Sequence, residues 1–548
     1  METSQAEPSP TPTPSPPPRT EIDPNMMYDL LLGEVAGQRG DMELAYKKYA
    51  EAAFKTRDPA VIERALRIAS FARADYSELR RLAKLWLEVS PNASEPRQVL
   101  AMLHVEGGEP EEAAAQLEEV FKVEPGFDYM RLAGLLSRQN NRESALKTME
   151  YFLQSRQGEP KAVFAHAHLA MRFEDNQQAL TLVDKTLALA PELPDAVNLR
   201  AHLLQRLNRE TEAAEYLAAQ LKGPMKKNPD VRLTYARLLL SLQRFEEAWD
   251  QLKTLADMKG VEDSNVRYLL GVTSMQINRL DEARAQFSRI VDGTSRSQDA
   301  RFHLGRLDEF ENRPDQAIEW YESVTEGTFY VPAQLQRAAL LHRKGDSDRA
   351  LALLDSVESE VPAEKLSVVL LKGEILFATA HYQESFDTYG QALAEYPGEP
   401  RLLYGRSLVA EKLDRLDVAE RDLREILAKE PDNAAALNAL GFTLVDRTDR
   451  VAEGAGYIER ALAQRPDDPA IMDSMGWALY HQGKYAEAVE YLRKALKIMN
   501  DAEIAAHLGA ALWRMGNEAE ARAVWKKALE HQPGHEKVQQ IMKQFGLE

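Results

Sequence analysis

An alanine returns about every 34 residues through this chain of 548 residues. A period of this length, kept along a whole chain, predicts a repeat array in which each unit buries its apolar face against its neighbours. Such a chain offers an extended surface rather than a single catalytic pocket. Three other residues, Leu79, Ser385 and Gly454, stand where the period would place further alanines. The recurring alanines are Ala45, Ala113, Ala145, Ala179, Ala213, Ala248, Ala283, Ala317, Ala350, Ala419, Ala488 and Ala521.

Other residue types keep the same period. With the alanine counted as position 20, a Leu-Gly pair recurs at positions 7 and 8, as in Leu304-Gly305, and a large apolar residue recurs at position 24, as in Tyr321. A proline closes many units near position 32. This pattern resembles the tetratricopeptide repeat, a pair of antiparallel helices per unit. It implies an all-α fold, a tetratricopeptide-repeat solenoid that forms a right-handed superhelix of helix-turn-helix units.

The period divides the chain into four segments. Residues 1–25 are rich in Pro, Ser and Thr and are predicted to form a disordered tether. Residues 26–263 hold divergent N-terminal units, and residues 264–533 hold well-formed C-terminal units, which makes close to fifteen units in all. Residues 534–548 predict one helix that caps the array, because Val538, Ile541, Met542 and Phe545 share one face.

Composition excludes several classes of function. The net charge is −19, from 68 basic and 87 acidic residues. Nucleic acid is therefore excluded as a partner, because binding a phosphate backbone needs a basic surface. The chain has no cysteine, which removes disulfides, cysteine nucleophiles and thiolate metal sites. No apolar run approaches the roughly 20 residues of a membrane-spanning helix.

Motifs that carry catalytic chemistry are weak or missing. Residues 144–147 match Ser-x-x-Lys, but Ala145 is the structural alanine of its unit and the partner motifs are absent. His531 and His535 have the spacing of a metal pair, but a proline and a glycine between them break the helix that would align them. The sequence predicts no enzyme, no metal and no cofactor. An enzyme with an unrecognised site is an alternative, which assays of the isolated chain would expose.

The repeat also predicts a binding surface. In similar repeats the first helix of each unit lines a groove, with positions 2, 5, 9, 12 and 13 facing it. Together, the aromatic residues at these positions predict an apolar, extended groove for a polypeptide. For each residue, packing against neighbouring helices is the alternative. The predicted groove residues are Tyr268, Phe302, Phe310, Tyr404, Phe442, Trp477, Tyr480 and Trp513.

One class of polypeptide is disfavoured. Repeats that hold the acidic C-terminal tails of chaperones carry lysine at position 5 and asparagine at position 9. No unit of this chain has lysine at position 5 or asparagine at position 9. Docking of a chaperone tail is therefore not expected.

The long array, the tether, the acidic charge and the lack of an enzyme domain resemble the outer-membrane tetratricopeptide lipoproteins of Gram-negative bacteria. More narrowly, the chain is similar to the adaptor that binds a periplasmic carboxyl-terminal processing protease. The resemblance implies a scaffold that presents protein substrates, such as peptidoglycan cross-link hydrolases, to that protease. A scaffold for cell-envelope or polysaccharide assembly, without a protease partner, is the alternative.

The resemblance also implies a location at the periplasmic face of the outer membrane. In that family a signal peptide ends at a lipidated cysteine, and this chain has neither feature. We therefore expect that the lipid anchor, the one link to a membrane, has been removed here and that the chain as given is soluble.

Overall fold

The computed structural model describes residues 24–124 and 126–547, and within these ranges it contains 31 α-helices and no strand. The all-α prediction is confirmed. Consecutive helices form fifteen pairs, each joined by a short turn, and a single helix follows the last pair. Almost all of the predicted tether, residues 1–23, lies outside the described residues, and the first helix begins at Pro24.

The chain divides into two compact units, Met1–Val266 and Arg267–Glu548, and the division falls within α15. The first fourteen helices are α1 (Pro24–Gln38), α2 (Met42–Thr56), α3 (Pro59–Phe71), α4 (Tyr76–Val89), α5 (Ser94–Glu106), α6 (Pro110–Val123), α7 (Tyr129–Leu136), α8 (Arg142–Leu153), α9 (Pro160–Arg172), α10 (Asn176–Leu189), α11 (Pro194–Arg206), α12 (Glu210–Lys222), α13 (Pro229–Ser241) and α14 (Phe245–Ala256).

The remaining helices are α15 (Ser264–Gln276), α16 (Leu280–Ser288), α17 (Ser297–Phe310), α18 (Pro314–Glu322), α19 (Tyr330–Arg343), α20 (Ser347–Ser356), α21 (Pro362–Ala378), α22 (Tyr382–Glu395), α23 (Pro400–Lys412), α24 (Leu416–Lys429), α25 (Ala434–Arg447), α26 (Val451–Gln464), α27 (Pro469–His481), α28 (Tyr485–Ile498), α29 (Ala502–Arg514), α30 (Glu518–His531) and α31 (Glu536–Gln544). None of the described helices combines the length and the apolar content needed to cross a membrane.

The recurring alanines are completely buried. All twelve lie on second helices, and each has no exposed surface. The three exceptions, Leu79, Ser385 and Gly454, are also buried on second helices. The hydroxyl of Ser385 donates a hydrogen bond of 2.8 Å to the carbonyl oxygen of Gly373 on the paired helix. A polar atom is therefore tolerated at this contact only with its partner in place.

The glycine at position 8 provides the space for the residue at position 24. A methyl group built on Gly305 would lie 2.6 Å from the ring of Tyr321, which is fully buried. A methyl group built on Gly271 would lie 2.7 Å from the ring of Phe287. In these two pairs an aromatic ring of the second helix thus packs directly against the glycine of the first helix.

The pair formed by α25 and α26 reaches the same closeness differently. A methyl group on Gly441 would lie 2.7 Å from the carbonyl oxygen of Gly454, and one on Gly454 would lie 2.6 Å from the carbonyl oxygen of Gly441. The two backbones touch directly, and the aliphatic Ile458 replaces the aromatic ring. This close approach explains why the period places a glycine rather than an alanine at residue 454.

In most pairs, the turn between the two helices contains a residue whose backbone is in the left-handed conformation. This residue lies five positions before the alanine. Glycine fills it at Gly40, Gly345 and Gly483, where φ is 83°, 87° and 77°. Asn312 adopts the same conformation with φ 57°, and the next amide nitrogen, of Arg313, donates to the carbonyl oxygen of Asp308 at 2.7 Å. This is the Schellman end of a helix, which glycine and asparagine accommodate best.

Substitution of Gly305 by alanine should destabilise the pair α17–α18, because the added methyl group meets the Tyr321 ring. We expect a loss of about 1–3 kcal/mol in unfolding free energy, measured by urea denaturation followed by circular dichroism. Gly456→Ala is the matched control, since nothing lies within 4 Å of the new methyl group. The control should gain up to about 1 kcal/mol from helix propensity. Equal unfolding midpoints for the two variants would contradict the close-contact model.

Candidate protein-binding groove

The first helices of the pairs form one face of the second unit. From α19 to α29, each first helix contacts the next first helix, whereas successive second helices of the same stretch have at most marginal contact with one another. The layer of first helices is therefore the more closely spaced side of the stack. We call the exposed surface of this layer the groove face.

All eight predicted groove residues lie on first helices: Tyr268 on α15, Phe302 and Phe310 on α17, Tyr404 on α23, Phe442 on α25, Trp477 and Tyr480 on α27, and Trp513 on α29. Their exposure differs widely. Phe302 and Trp477 are buried and Phe310 is 71% exposed, while the other five are half-buried. Their role in binding stays a prediction, but the structure separates them into groups.

One group packs between neighbouring pairs. The ring of Phe302 stacks on that of Phe329, with centres 4.5 Å apart, and Tyr268 lies against Phe287 and His303. The hydroxyl of Tyr268 is 3.3 Å from the Nε2 atom of His303. Burial lowers the pKa of His303 to about 4, so this ring is neutral in the folded chain near pH 7. Phe302 and Tyr268 therefore belong largely to the aromatic core of this region.

Trp513 and Phe310 occupy two other settings. The ring of Trp513 lies 5.9 Å from that of Trp525 and 5.6 Å from that of Phe545, which follows α31. Trp513 thus supports the C-terminal helix. Phe310 is the last residue of α17, where its ring is largely in water.

Three of the predicted residues come together at one cavity. Phe442, Trp477 and Tyr480 line a cavity of about 1100 Å³ between α25, α27 and the C-terminal segment. The rings of Trp477 and Tyr480 are stacked, with centres 4.7 Å apart and planes 3° apart. The ring of Trp477 also stacks on that of His507, with centres 4.1 Å apart. The indole is thereby fixed in place, and Tyr480 extends the aromatic surface toward the cavity.

Charged residues complete this cavity, and the repeat pattern did not predict them. Asp446 of α25 accepts a hydrogen bond of 2.8 Å from the Nε1 atom of Trp477 and lies 3.2 Å from the Nζ atom of Lys537 in α31. Burial alone would raise the pKa of Asp446, but the charge of Lys537 and the two hydrogen bonds outweigh it, and the pKa is lowered. Asp446 is therefore ionised. Burial and the neighbouring charge of Asp446 raise the pKa of Glu411, which also lines the cavity.

A buried histidine supports the wall from behind. The Nδ1 atom of His507 lies 2.9 Å from the Oδ1 atom of Asp473, and neither side chain has substantial access to solvent. The two residues are one period apart, on the facing helices α27 and α29. The pair could have been predicted from the sequence, because the histidine and the carboxylate occupy nearly equivalent positions of adjacent units.

A second cavity lies around Tyr404. It has a volume of about 410 Å³ and is lined by Leu370, Phe377, Tyr389 and Gly405, among other residues. A methyl group on Gly405 would lie 2.7 Å from the ring of Tyr389, so the glycine is required to keep this ring seated. The cavity is mostly apolar and could take one aliphatic or aromatic side chain.

The described residues hold no group of three or more His, Asp or Glu side chains arranged for a metal ion. The Ser-x-x-Lys match also lacks catalytic geometry. Ser144 is buried on α8, and the Nζ atom of Lys147 pairs with Glu143 at 2.7 Å instead. Ser144 and Lys147 therefore have structural roles within α8.

Similarity to known protein families extends over many of the helical pairs. Tetratricopeptide-repeat models match residues 97–119, 164–224, 233–299, 331–356, 370–434, 404–469, 442–503 and 479–545. A similar protein from Pseudomonas aeruginosa, the TPR repeat-containing protein PA4667, is 35% identical over 488 residues, which cover 88% of this chain and 82% of that protein. The CTR9 homolog of Arabidopsis thaliana is 30% identical over 146 residues, or 26% of this chain and 13% of that protein.

Solved structures with similar folds include the APC/C hetero-tetramer Cut9–Hcn1, which is 16% identical with a TM-score of 0.34 and covers 89% of this chain and 97% of that one. Yeast Tom70 is 15% identical with a TM-score of 0.35 and covers 76% of this chain and 93% of that one. The family models and the long match to the Pseudomonas aeruginosa protein agree with the paired helices and their buried alanines. The chain belongs to the tetratricopeptide-repeat family.

Proposed function

We propose that this chain is a non-enzymatic adaptor that binds a periplasmic carboxyl-terminal processing protease and the protein substrates of that protease. A tetratricopeptide-repeat solenoid is a scaffold for protein–protein interaction, and fifteen helical pairs provide surface for more than one client. The observation that carries the proposal is the cavity at Phe442, Trp477 and Tyr480, where an aromatic wall with charged neighbours faces solvent. Such a surface suits a polypeptide.

The narrower part of the proposal rests on the resemblance to outer-membrane adaptor lipoproteins. A lipid anchor of the kind that those lipoproteins carry would hold the array at the periplasmic face of the outer membrane. Substrates such as peptidoglycan cross-link hydrolases would then meet the protease on one scaffold. The physical gain is effective concentration, since two clients on one chain react as if they were parts of one molecule.

Cleavage of a client hydrolase by the protease should accelerate when this chain is added, by on the order of 100-fold at low client concentration. A bridging scaffold should show a maximum, because excess adaptor places protease and client on separate molecules. The chain alone should leave the client intact. Initial rates of client cleavage over a titration of the chain measure all three effects. An unchanged rate would refute the protease role and favour a scaffold for envelope assembly.

The cavity wall makes a second prediction. Tyr480→Ala should weaken client binding about tenfold, because Tyr480 is half-buried and contributes an aromatic surface to the cavity. Binding is measured by surface plasmon resonance and folding by circular dichroism. Tyr76→Ala, which removes an exposed tyrosine from the second helix α4, is the matched control and should bind normally.

Phe310→Ala tests the predicted groove residue that lies apart from this cavity. Its ring is largely in water, so helicity and thermal stability should not fall. A loss of client binding in Phe310→Ala, with normal binding in Tyr480→Ala, would move the binding surface away from the cavity.

A further inference from the structure

Lys537 extends from the C-terminal helix α31 into the cavity lined by Phe442, Trp477 and Tyr480. One face of α31 packs Val538 and Ile541 into the core beneath α29 and α30, where both are buried. Another side of the helix directs Lys537 to the cavity, where its Nζ atom lies 3.2 Å from the Oδ1 atom of Asp446. The same atom is 5.8 Å from the centre of the Trp477 ring. A carboxylate and an aromatic face thus hold one ammonium group.

The groups around this ammonium are positioned by other contacts. Asp446 also accepts the indole N–H of Trp477 at 2.8 Å, and Trp477 is held by ring contacts with Tyr480 and His507. Because an aromatic face and a carboxylate both attract cations, their convergence is the arrangement that recognises a lysine side chain. Glu411 lines the same cavity and adds a further carboxyl group.

The lysine is a replaceable occupant rather than the anchor of its helix. The Lys537 side chain is 24% exposed and that of Asp446 is 14% exposed, so their ion pair is largely shielded from water, and a group that replaces Lys537 has to bring a positive charge of its own. Val538 and Ile541, by contrast, bury their side chains completely or nearly so and hold α31 against the array. The flexible four-carbon stem of Lys537 can therefore swing away while α31 stays in place.

We propose that Asp446 and Trp477 form a subsite for a lysine side chain of a bound polypeptide, and that Lys537 occupies this subsite in the free chain. This inference rests on the proposed function, in which the groove takes a polypeptide. The partner it fits is a segment with one lysine flanked by apolar residues, because Phe442 and Tyr480 line the cavity beside the ion pair. A lysine of the client then replaces Lys537 when the client binds. Because Lys537 has to be displaced, only clients of sufficient affinity bind.

The test uses two fluorescent peptides of alternating leucine and serine that differ at one central residue, lysine or norleucine. Their affinities for the full chain are measured by fluorescence anisotropy. Lys537→Met keeps the stem and removes the charge, so it should strengthen binding of the lysine peptide about fivefold and leave the norleucine peptide unchanged. Asp446→Asn retains an acceptor for Trp477 but should abolish the preference for lysine.

Matched controls are Lys543→Met, on an exposed lysine of the same helix, and Asp449→Asn, on an exposed aspartate just after α25. Both should behave as the parent chain. Because the result is a ratio of two peptides on the same protein, a partial loss of folding lowers both affinities and leaves the ratio. Equal gains for the two peptides, or no binding of either peptide to any variant, would overturn the lysine subsite. The adaptor role would then still stand or fall on the cleavage assay.

Discussion

The contact on which this protein depends is the closure of nearly every helical pair around a small residue. The alanine of the second helix has no exposed surface in any of the twelve units that carry it. In the pairs built like α17–α18, an aromatic ring lies against a glycine at a distance that would admit no methyl group. Since all later packing stacks one closed pair on the next, this local contact determines both the spacing of the first helices and the face that they present.

Much of the fold could be predicted because this contact depends on residue size and recurs with a fixed period. Ser385 and Gly454 break the period in the sequence, yet the structure seats both at the same contact, through a hydrogen bond in one case and through touching backbones in the other. Which substitute works at a position depends on the partner across the helix pair. That partner lies in another part of the unit, so the alanine period alone could not reveal it.

The candidate site was less predictable for a related reason. Position within the unit placed Trp477 and Trp513 on the same kind of surface, but Trp477 lines a cavity while Trp513 packs against Trp525 and Phe545. The difference arises from α31, which follows the last repeat and has no counterpart inside the array. Asp446 and Lys537 are 91 residues apart, and no periodic pattern connects them. Contacts made at the end of a repeat array therefore cannot be predicted from its period.

The same end effect makes the C-terminal pairs suited to selective binding. In a stack where each unit contacts its neighbours, a substitution or a bound client perturbs mainly the adjacent pairs. The cavity at Trp477 is closed on one side by α31, so its charge and shape can differ from those of the regular groove without altering the contacts that hold distant pairs. In the proposed adaptor, a second client would then bind elsewhere on the array at little energetic cost to the first. Independence of this kind is the physical requirement for an adaptor, because its two partners must be held together without competing.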